Sequence, residues 1–256
     1  MKLSPLVLLI NLEKRTDRLL KMQSRLAGID YTRIDAIAAE NIPDNIGVLE
    51  SNLSKPELAC NASHIKALKT FLKTDNEACI ILEDDVLFTT DFKTIVNSGL
   101  VLPYDAYVMK LETFKHKIFV SRRKFRLNKF KYVKMLSGHY GAAAYMTSRN
   151  GAKHILAELM KQSLPADDVI FKDMLGCKEF GHALQLLPAC CIQENLDNQE
   201  IDSDISEGRN HRSHFESRPY VKQNKIYKEM MRALSRFLRF LRWQRRIRVE
   251  FKNSKT

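Results

Sequence analysis

Apolar and polar residues alternate along this chain in two patterns. Leu6 to Leu12 is an almost unbroken apolar run, as expected of a strand buried on both faces of a parallel sheet. From Arg15 to Ala27 the apolar positions thin to Leu19, Met22 and Leu26, a helical spacing, and Gly28 follows as a stop. Tyr31 to Ile37 reads as a second strand and Asn41 to Ser54 as a loop. Pro56 to Lys73 is helical, with Leu58, Ile65, Leu68 and Leu72 on one side. Ala78 to Leu82 is a third buried strand that ends directly on Glu83-Asp84-Asp85. Asp91 to Ser98 predicts a short helix and Ala106 to Leu111 a further strand.

This β-α-β-α-β order implies an α/β domain with a largely parallel sheet. Ligands of such sheets bind beyond the carboxyl ends of the strands, where this chain places Asn11, Asp35, Glu83 to Asp85, and Glu112. Further on, residues 115–134 read as a basic hairpin. Gly141 to Thr147 reads as a small-residue strand, and Asn150 to Met160 as a helix. A loop from Leu164-Pro165 leads to a helix near Asp168, Ala183 to Leu187 is a strand, and residues 194–220 form a polar connector. From Tyr227 the apolar residues Met230, Met231, Leu234, Phe237, Leu238 and Leu241 lie opposite Lys228, Arg232, Arg236, Arg239, Arg242 and Arg246. That predicts a basic amphipathic helix, suited to an anionic membrane surface or, in the competing reading, packed on its own domain with a solvated basic face. The division is then a globular domain over residues 1–220 and a basic helical tail over 221–256.

Composition narrows the class. Of 256 residues, 45% are hydrophobic and 28% charged, enough apolar material for a sizeable core and unlike a disordered or low-complexity chain. No apolar run approaches the ~20 residues of a spanning helix. The formal net charge of +12 is concentrated. Residues 115–134 hold nine Lys/Arg and no acid, residues 222–252 carry a net +9, and the remainder is mildly acidic. The patches favour an anionic partner. Five cysteines, two of them adjacent and none in a C-x-x-C pair, fit reduced thiols in a cytoplasmic protein better than a disulfide framework or a zinc site. The apolar N-terminus lacks a small-residue cleavage site and runs into Glu13-Lys14-Arg15, so it reads as a strand and not as a signal peptide.

Four segments carry candidate chemistry. In I-I-L-E-D-D-V, Ile80 to Val86, three acids crown a very apolar strand. Carboxylates side by side repel unless a cation neutralises them, and Mg²⁺ or Mn²⁺ prefers such oxygen ligands. The competing reading is an exposed acidic turn capping the next helix. Glu57-Leu58-Ala59-Cys60 with Ser63-His64 lies on the preceding helix, where a histidine serves packing as readily as binding. Pro165-Ala166-Asp167-Asp168 sets carboxylates ahead of a helix, a catalytic arrangement or simply an N-cap. N-L-E-K-R-T-D-R supplies Asn11, Arg15 and Arg18 at the sheet's edge. There is no G-x-G-x-x-G, no G-x-x-x-x-G-K-[ST] and no G-x-S-x-G, which removes the Rossmann dinucleotide, P-loop and common hydrolase signatures.

In order, these strings resemble glycosyltransferase family 25, the lipooligosaccharide biosynthesis galactosyltransferases of Gram-negative bacteria. The resemblance is carried by N-L-E-K-R-T-D-R at Asn11 to Arg18, I-D-A-I at Ile34 to Ile37, E-L-A-C-N-A-S-H at Glu57 to His64 and L-E-D-D-V at Leu82 to Val86. It continues through L-E-T at Leu111 to Thr113, G-A-A-A-Y-M-T-S at Gly141 to Ser148, P-A-D at Pro165 to Asp167 and P-A-C-C-I-Q-E at Pro188 to Glu194. The basic 115–134 segment departs from the pattern in its charge.

The resemblance implies a GT-A-type nucleotide-sugar-binding fold with a mixed, mainly parallel sheet, and an inverting transferase. The donor would be UDP-galactose and the acceptor a glucose or N-acetylglucosamine of lipooligosaccharide, joined β-1,4. It further implies Asp85, with Glu83, as holder of Mn²⁺ or Mg²⁺, with Gln193 or Glu194 completing the shell. Asp167 is the expected general base, with Asp168 and Glu112 behind it. Asn11, Leu12, Arg18, Asp35 and Ala36 would line the uridine pocket, and Ser63, His64, Glu83 and Asp84 the phosphate or ribose side. The expected location is the cytoplasmic face of the inner membrane, held there by the basic tail. A metal-dependent nucleotidyltransferase and a nucleic-acid-binding protein are the competing readings. The second leaves the acidic strand tip unexplained.

Overall fold

Side chains on successive residues of a strand point to opposite faces, and here both faces are apolar. In β1 (Leu6–Asn11), Val7 and Leu9 join one core and Leu8 and Ile10 the other. β3 (Ala78–Glu83) divides in the same way, Ile80 and Leu82 against Cys79 and Ile81. The first core is covered by α1 (Thr16–Arg25) through Met22 and by α3 (Thr90–Asn97) through Phe92 and Ile95. The second is covered by α2 (Lys55–Leu72) through Leu68 and Phe71, and by α4 (Arg149–Lys161) through Ile155 and Leu159. The result is a three-layer α/β/α arrangement. The computed structural model describes residues 4–42, 53–161, 164–173, 175, 181–197 and 244–252.

The remaining elements are β2 (Thr32–Asp35), β4 (Val86–Phe88), β5 (Ala106–Lys110), β6 (Lys117–Ser121), β7 (Phe125–Leu127), β8 (Phe130–Lys134) and β9 (Ala144–Ser148). They continue with α5 (Ala166–Asp168), which runs into a π-helical turn over Val169–Asp173, then β10 (His182–Leu187), β11 (Cys191–Gln193), α6 (Glu194–Asp197) and β12 (Gln244–Arg248). The central sheet has eight strands in the order β2-β1-β3-β9-β5-β10-β8-β7. β2, β1 and β3 are parallel, as are β5 and β10. β9 runs antiparallel between β3 and β5. The strand expected at Gly141 to Thr147 is therefore present, but it enters the sheet from the carboxyl ends of its neighbours. Gly151 allows α4 to lie this close, since a Cβ there would stand 1.9 Å from the Tyr107 carbonyl.

The α2 start follows from its sequence. Ser54 and Glu57 form a reciprocal capping box and Pro56 occupies the first turn, where its missing N–H leaves nothing unpaired.

Two expectations change. Residues 115–134 form a tight hairpin only between β7 and β8, turning at Asn128 with φ 55°. β6 pairs instead with β12, antiparallel from Lys117↔Arg248 to Ser121↔Gln244. Arg246, expected on a helical face, thus belongs to a strand, and Arg245, Ile247 and Val249 alternate with the exposed Arg246 and Arg248. Val249 is buried with Ile118, Val120, Val133 and Ala189. Residues 244–252 are part of the globular body, while the helix expected over 227–241 lies outside the described residues.

Candidate active site

The three acids after β3 have three different environments. Asp84 is buried and committed to the fold: Asn11 Nδ2 donates to it at 2.7 Å and Arg18 Nη1 at 3.0 Å. Asn11 in turn accepts Arg33 Nε at 3.0 Å, so one carboxylate locks the ends of β1 and β2 and the first turn of α1 together.

Glu83, half-buried, faces α2. Its Oε1 lies 3.3 Å from His64 Nε2 and 4.0 Å from Cys60 Sγ. A carboxylate only accepts, so Nε2 carries the proton and Nδ1 receives the Tyr145 hydroxyl at 3.1 Å. The donor atoms of Cys60, His64 and Glu83 all lie within 4.8 Å of one another.

Asp85 is the least satisfied of the three. Gln193 Nε2 donates to its Oδ2 at 3.3 Å, and its buried Oδ1 has no hydrogen-bond partner. Burial, reinforced by Glu83 and opposed by Arg18, pushes its pKa up to about 7. The Glu194 N–H donates to the Asp85 carbonyl at 2.8 Å, but the Glu194 carboxylate turns away to Arg25 at 3.1 Å and Lys21 at 3.4 Å. Of the two residues expected to complete a metal shell, only Gln193 reaches the Asp85 carboxylate in the hydrogen bonds described, and Glu194 meets Asp85 through the backbone alone.

Across β9 lies a second, wholly buried group. Lys110 Nζ donates to Glu112 Oε1 at 2.8 Å and to the Gly141 carbonyl, and sits 4.2 Å from the centre of the Phe171 ring. Ala143 N–H also donates to Glu112 Oε1, at 2.8 Å, whereas Oε2 is buried and unpartnered. Burial raises the Glu112 pKa against the pull of Lys110. Gly141, at φ 82°, is required here: a Cβ would stand 3.1 Å from the Phe114 ring and 3.2 Å from both Glu112 oxygens. Its N–H donates to Asp167 Oδ2 at 2.9 Å, and the Asp168 N–H to Asp167 Oδ1 at 3.0 Å. Asp168 itself pairs with Lys172 at 3.5 Å. The fold therefore brings Asp167 and Glu112 to either side of one glycine.

The other expected positions gather at the ends of β1 and β2. The Ala36 N–H donates to the Asn11 carbonyl at 3.0 Å, and the Arg15 N–H to that of Leu12 at 2.9 Å. Ser63 Oγ accepts the Ile37 N–H at 2.8 Å, stitching β2's exit to α2. Asp35 is exposed beside Arg33 at 3.3 Å. Sequence reading missed Lys110, His139 and Gln185. His139 Nδ1 donates to Gln185 Oε1 at 3.2 Å, and Gln185 Nε2 donates to the carbonyls of Lys110, Glu112 and Leu186. The available signal was a polar residue inside an apolar strand, Lys110 closing A-Y-V-M-K and Gln185 within H-A-L-Q-L-L.

A mixed sheet with carboxylates at the ends of β3 and β5 defines an α/β protein built to bind at its strand tips. Residues 5–170 match the model of glycosyltransferase family 25 (LPS biosynthesis protein), and the chain belongs to that family. It is 27% identical over 217 residues to the lipooligosaccharide biosynthesis protein lex-1 of Haemophilus influenzae, covering 77% of this chain and 69% of that one. It is also 27% identical over 154 residues to lic2B, another lipooligosaccharide biosynthesis protein of Haemophilus influenzae, covering 57% of each. Among solved structures it is similar to a glycosyltransferase involved in glycosylation of the major capsid of PBCV-1. There the TM-score is 0.44 and the identity 9%, over 82% of this chain and 99% of that one.

Proposed function

We propose that this chain is a GT-A-type, inverting galactosyltransferase. In this reading it moves galactose from UDP-galactose to a terminal glucose or N-acetylglucosamine of lipooligosaccharide and forms a β-1,4 bond. Family membership and the names of the two relatives support the reaction class and the pathway. The observation that carries the site assignment is the pair of buried carboxylate oxygens without hydrogen-bond partners, Asp85 Oδ1 and Glu112 Oε2, flanking β9 near Glu83.

The carboxylate oxygens of Asp85 and Glu83, with Asp85 Oδ1 buried and unpartnered, suit a hard divalent cation, so these two residues would hold Mn²⁺ or Mg²⁺. When bound, the ion would offset the charge of the departing diphosphate. Asp167 accepts the proton of the acceptor hydroxyl as its oxygen bonds to the anomeric carbon. The bond from that carbon to UDP breaks on the opposite face, and its electron pair leaves with UDP. The backbone N–H groups of Gly141 and Asp168 orient the Asp167 carboxylate for this task. Asn11, Arg18 and Asp84 hold the mouth of the sheet on the nucleotide side.

UDP release from a panel of UDP-sugars, with and without glucosyl acceptors, tests this. Asp85→Asn and Asp167→Asn should each lower turnover by roughly 10²–10⁴-fold with an unchanged circular dichroism spectrum. Release of pyrophosphate, a rate indifferent to EDTA, or near-normal turnover in Asp167→Asn would each overturn the corresponding assignment. We further place the protein at the cytoplasmic face of the inner membrane. The net +9 of residues 222–252 and the lipid-borne acceptor support this location.

A further inference from the structure

The loop after β5 and the segment before β9 bring three aromatic rings together at the surface. Phe114 and His116 stack with centroids 5.6 Å apart, and Tyr140 meets them at 6.1 Å and 5.7 Å. Phe114 is half-buried and His116 exposed. Tyr140 is 53% exposed. His116 and Tyr140, exposed yet in contact with each other and with Phe114, do little for the core.

These rings are nonetheless held firmly. Lys115 between two of them sits at φ 54°, a conformation lysine rarely takes, and its Nζ is tied to the Leu196 carbonyl at 3.1 Å and to Asp197 at 3.3 Å. Thr113 Oγ1 donates to the Val249 carbonyl at 2.8 Å and accepts the Lys115 N–H at 3.0 Å. The Phe114 N–H donates to His139 Nε2 at 3.4 Å. The Phe114 ring reaches the Gly141 position that both Glu112 oxygens also approach, and Gly141 holds Asp167. The trio therefore adjoins the proposed base, on the opposite side of β9 from Glu83 and Asp85.

We propose that Phe114, His116 and Tyr140 form the seat of the acceptor sugar ring, an inference that rests on the glycosyl-transfer reading above. A hexopyranose has one face of slightly positive C–H groups, which suits the negative face of an aromatic ring, and a rim of hydroxyls. Seated here, the rim is directed at Asp167. The charged diphosphate of the donor belongs with the cation site at β3. With the Lys115 ammonium already engaged by Leu196 and Asp197, the aromatic wall suits an uncharged sugar ring.

The test combines kinetics with saturation-transfer NMR, using the UDP-sugar that supports UDP release and methyl β-glucoside or methyl β-N-acetylglucosaminide as acceptor. Tyr140→Ala should raise acceptor KM about 10-fold or more, shift donor KM less than about 2-fold, and remove saturation transfer to the glycoside C–H protons. Tyr140→Trp should retain both. Tyr104→Ala, an exposed aromatic preceding β5 at the far end of the sheet, should change neither. An unchanged acceptor KM with retained saturation transfer overturns the seat while leaving the transferase reading intact. A rise in donor KM alone reassigns the rings to the nucleotide and overturns it equally. Absence of UDP release from the unmodified protein with every donor overturns the transferase reading, and the seat with it.

Discussion

Lowering the pH from 8 to 5 should destabilise this fold by about 2 kcal/mol through one side chain, His139. This residue, in the segment between β8 and β9, is 3% exposed. Gln185 spends its Nε2 on three carbonyls, so its Oε1 accepts from His139 Nδ1–H, and Nε2 of the ring is left to accept the Phe114 N–H. That arrangement requires the neutral imidazole. Burial first, then the nearby Lys110 ammonium and His116, hold its pKa down at about 3 from an ordinary 6.5, against the pull of Gln185. The unfolded chain therefore takes up the proton first. Stability is intact above pH 6.5 and is lost progressively as pH falls from 6.5 towards 3. At 1.36 kcal/mol per unit, the gap between the two pKa values amounts to about 2 kcal/mol at pH 5 and about 3 kcal/mol at pH 4. Urea unfolding of the parent and of His139→Gln at pH 8, 6, 5 and 4 isolates this contribution, because other titrations are common to both proteins. The parent should lose about 2 kcal/mol more than the variant between pH 8 and pH 5. Parallel pH profiles would refute the reasoning and show that protonated imidazole is accommodated. Because His139 holds the Phe114 backbone, transfer should also fade on the acid side in the parent before the protein unfolds.

Lys110→Met removes the partner of a fully buried Glu112 and should lower unfolding stability by about 3–5 kcal/mol at pH 8. The loss should be smaller at pH 5, where Glu112 can take up a proton; urea midpoints at the two pH values check this, and equal losses would count against it. Replacing Lys222, Lys225 and Lys228 with Glu should weaken co-sedimentation with anionic phosphatidylglycerol vesicles, each basic residue near such a surface contributing about 1 kcal/mol. Unaltered binding would exclude a role for that stretch. Substitution is preferable to deletion of residues 222–256, which would also remove β12.

The layered α/β plan was legible because it is written in local periodicity. Val7 to Ile10 and Cys79 to Leu82 are apolar on both faces, as strands between two helical layers must be. The position of Glu83 to Asp85 followed from the strand's length. How the three acids divide their work did not, because Arg18, Asn11, His64 and Gln193, which decide it, come from elements far apart in the chain. The direction of β9 was hidden for a related reason: Gly141 to Ser148 reads as a strand either way, and only its register with Cys79 to Leu82 fixes the sense. β12 was obscured by its own composition. Q-R-R-I-R continues a run of basic residues at helical spacing, yet Arg245, Ile247 and Val249 obey a period of two once β6 offers an edge.

The partnership of β12 with β6 bears on when this protein becomes competent. The ribosome makes Thr113 long before Val249, 136 positions later, yet the two are hydrogen-bonded in the finished molecule. Until β12 emerges, β6 lacks its ladder partner, and an unpaired edge of that kind can join a neighbouring nascent chain as easily as its own. Synthesis thus has a built-in delay: the aromatic loop and the floor at Ala189, bonded to Glu250 and Lys252, are secured only after residues 244–252 have been made. Overproduction at high translation rates should accordingly favour inclusion bodies, and co-production with a chaperone that shields strand edges should relieve them.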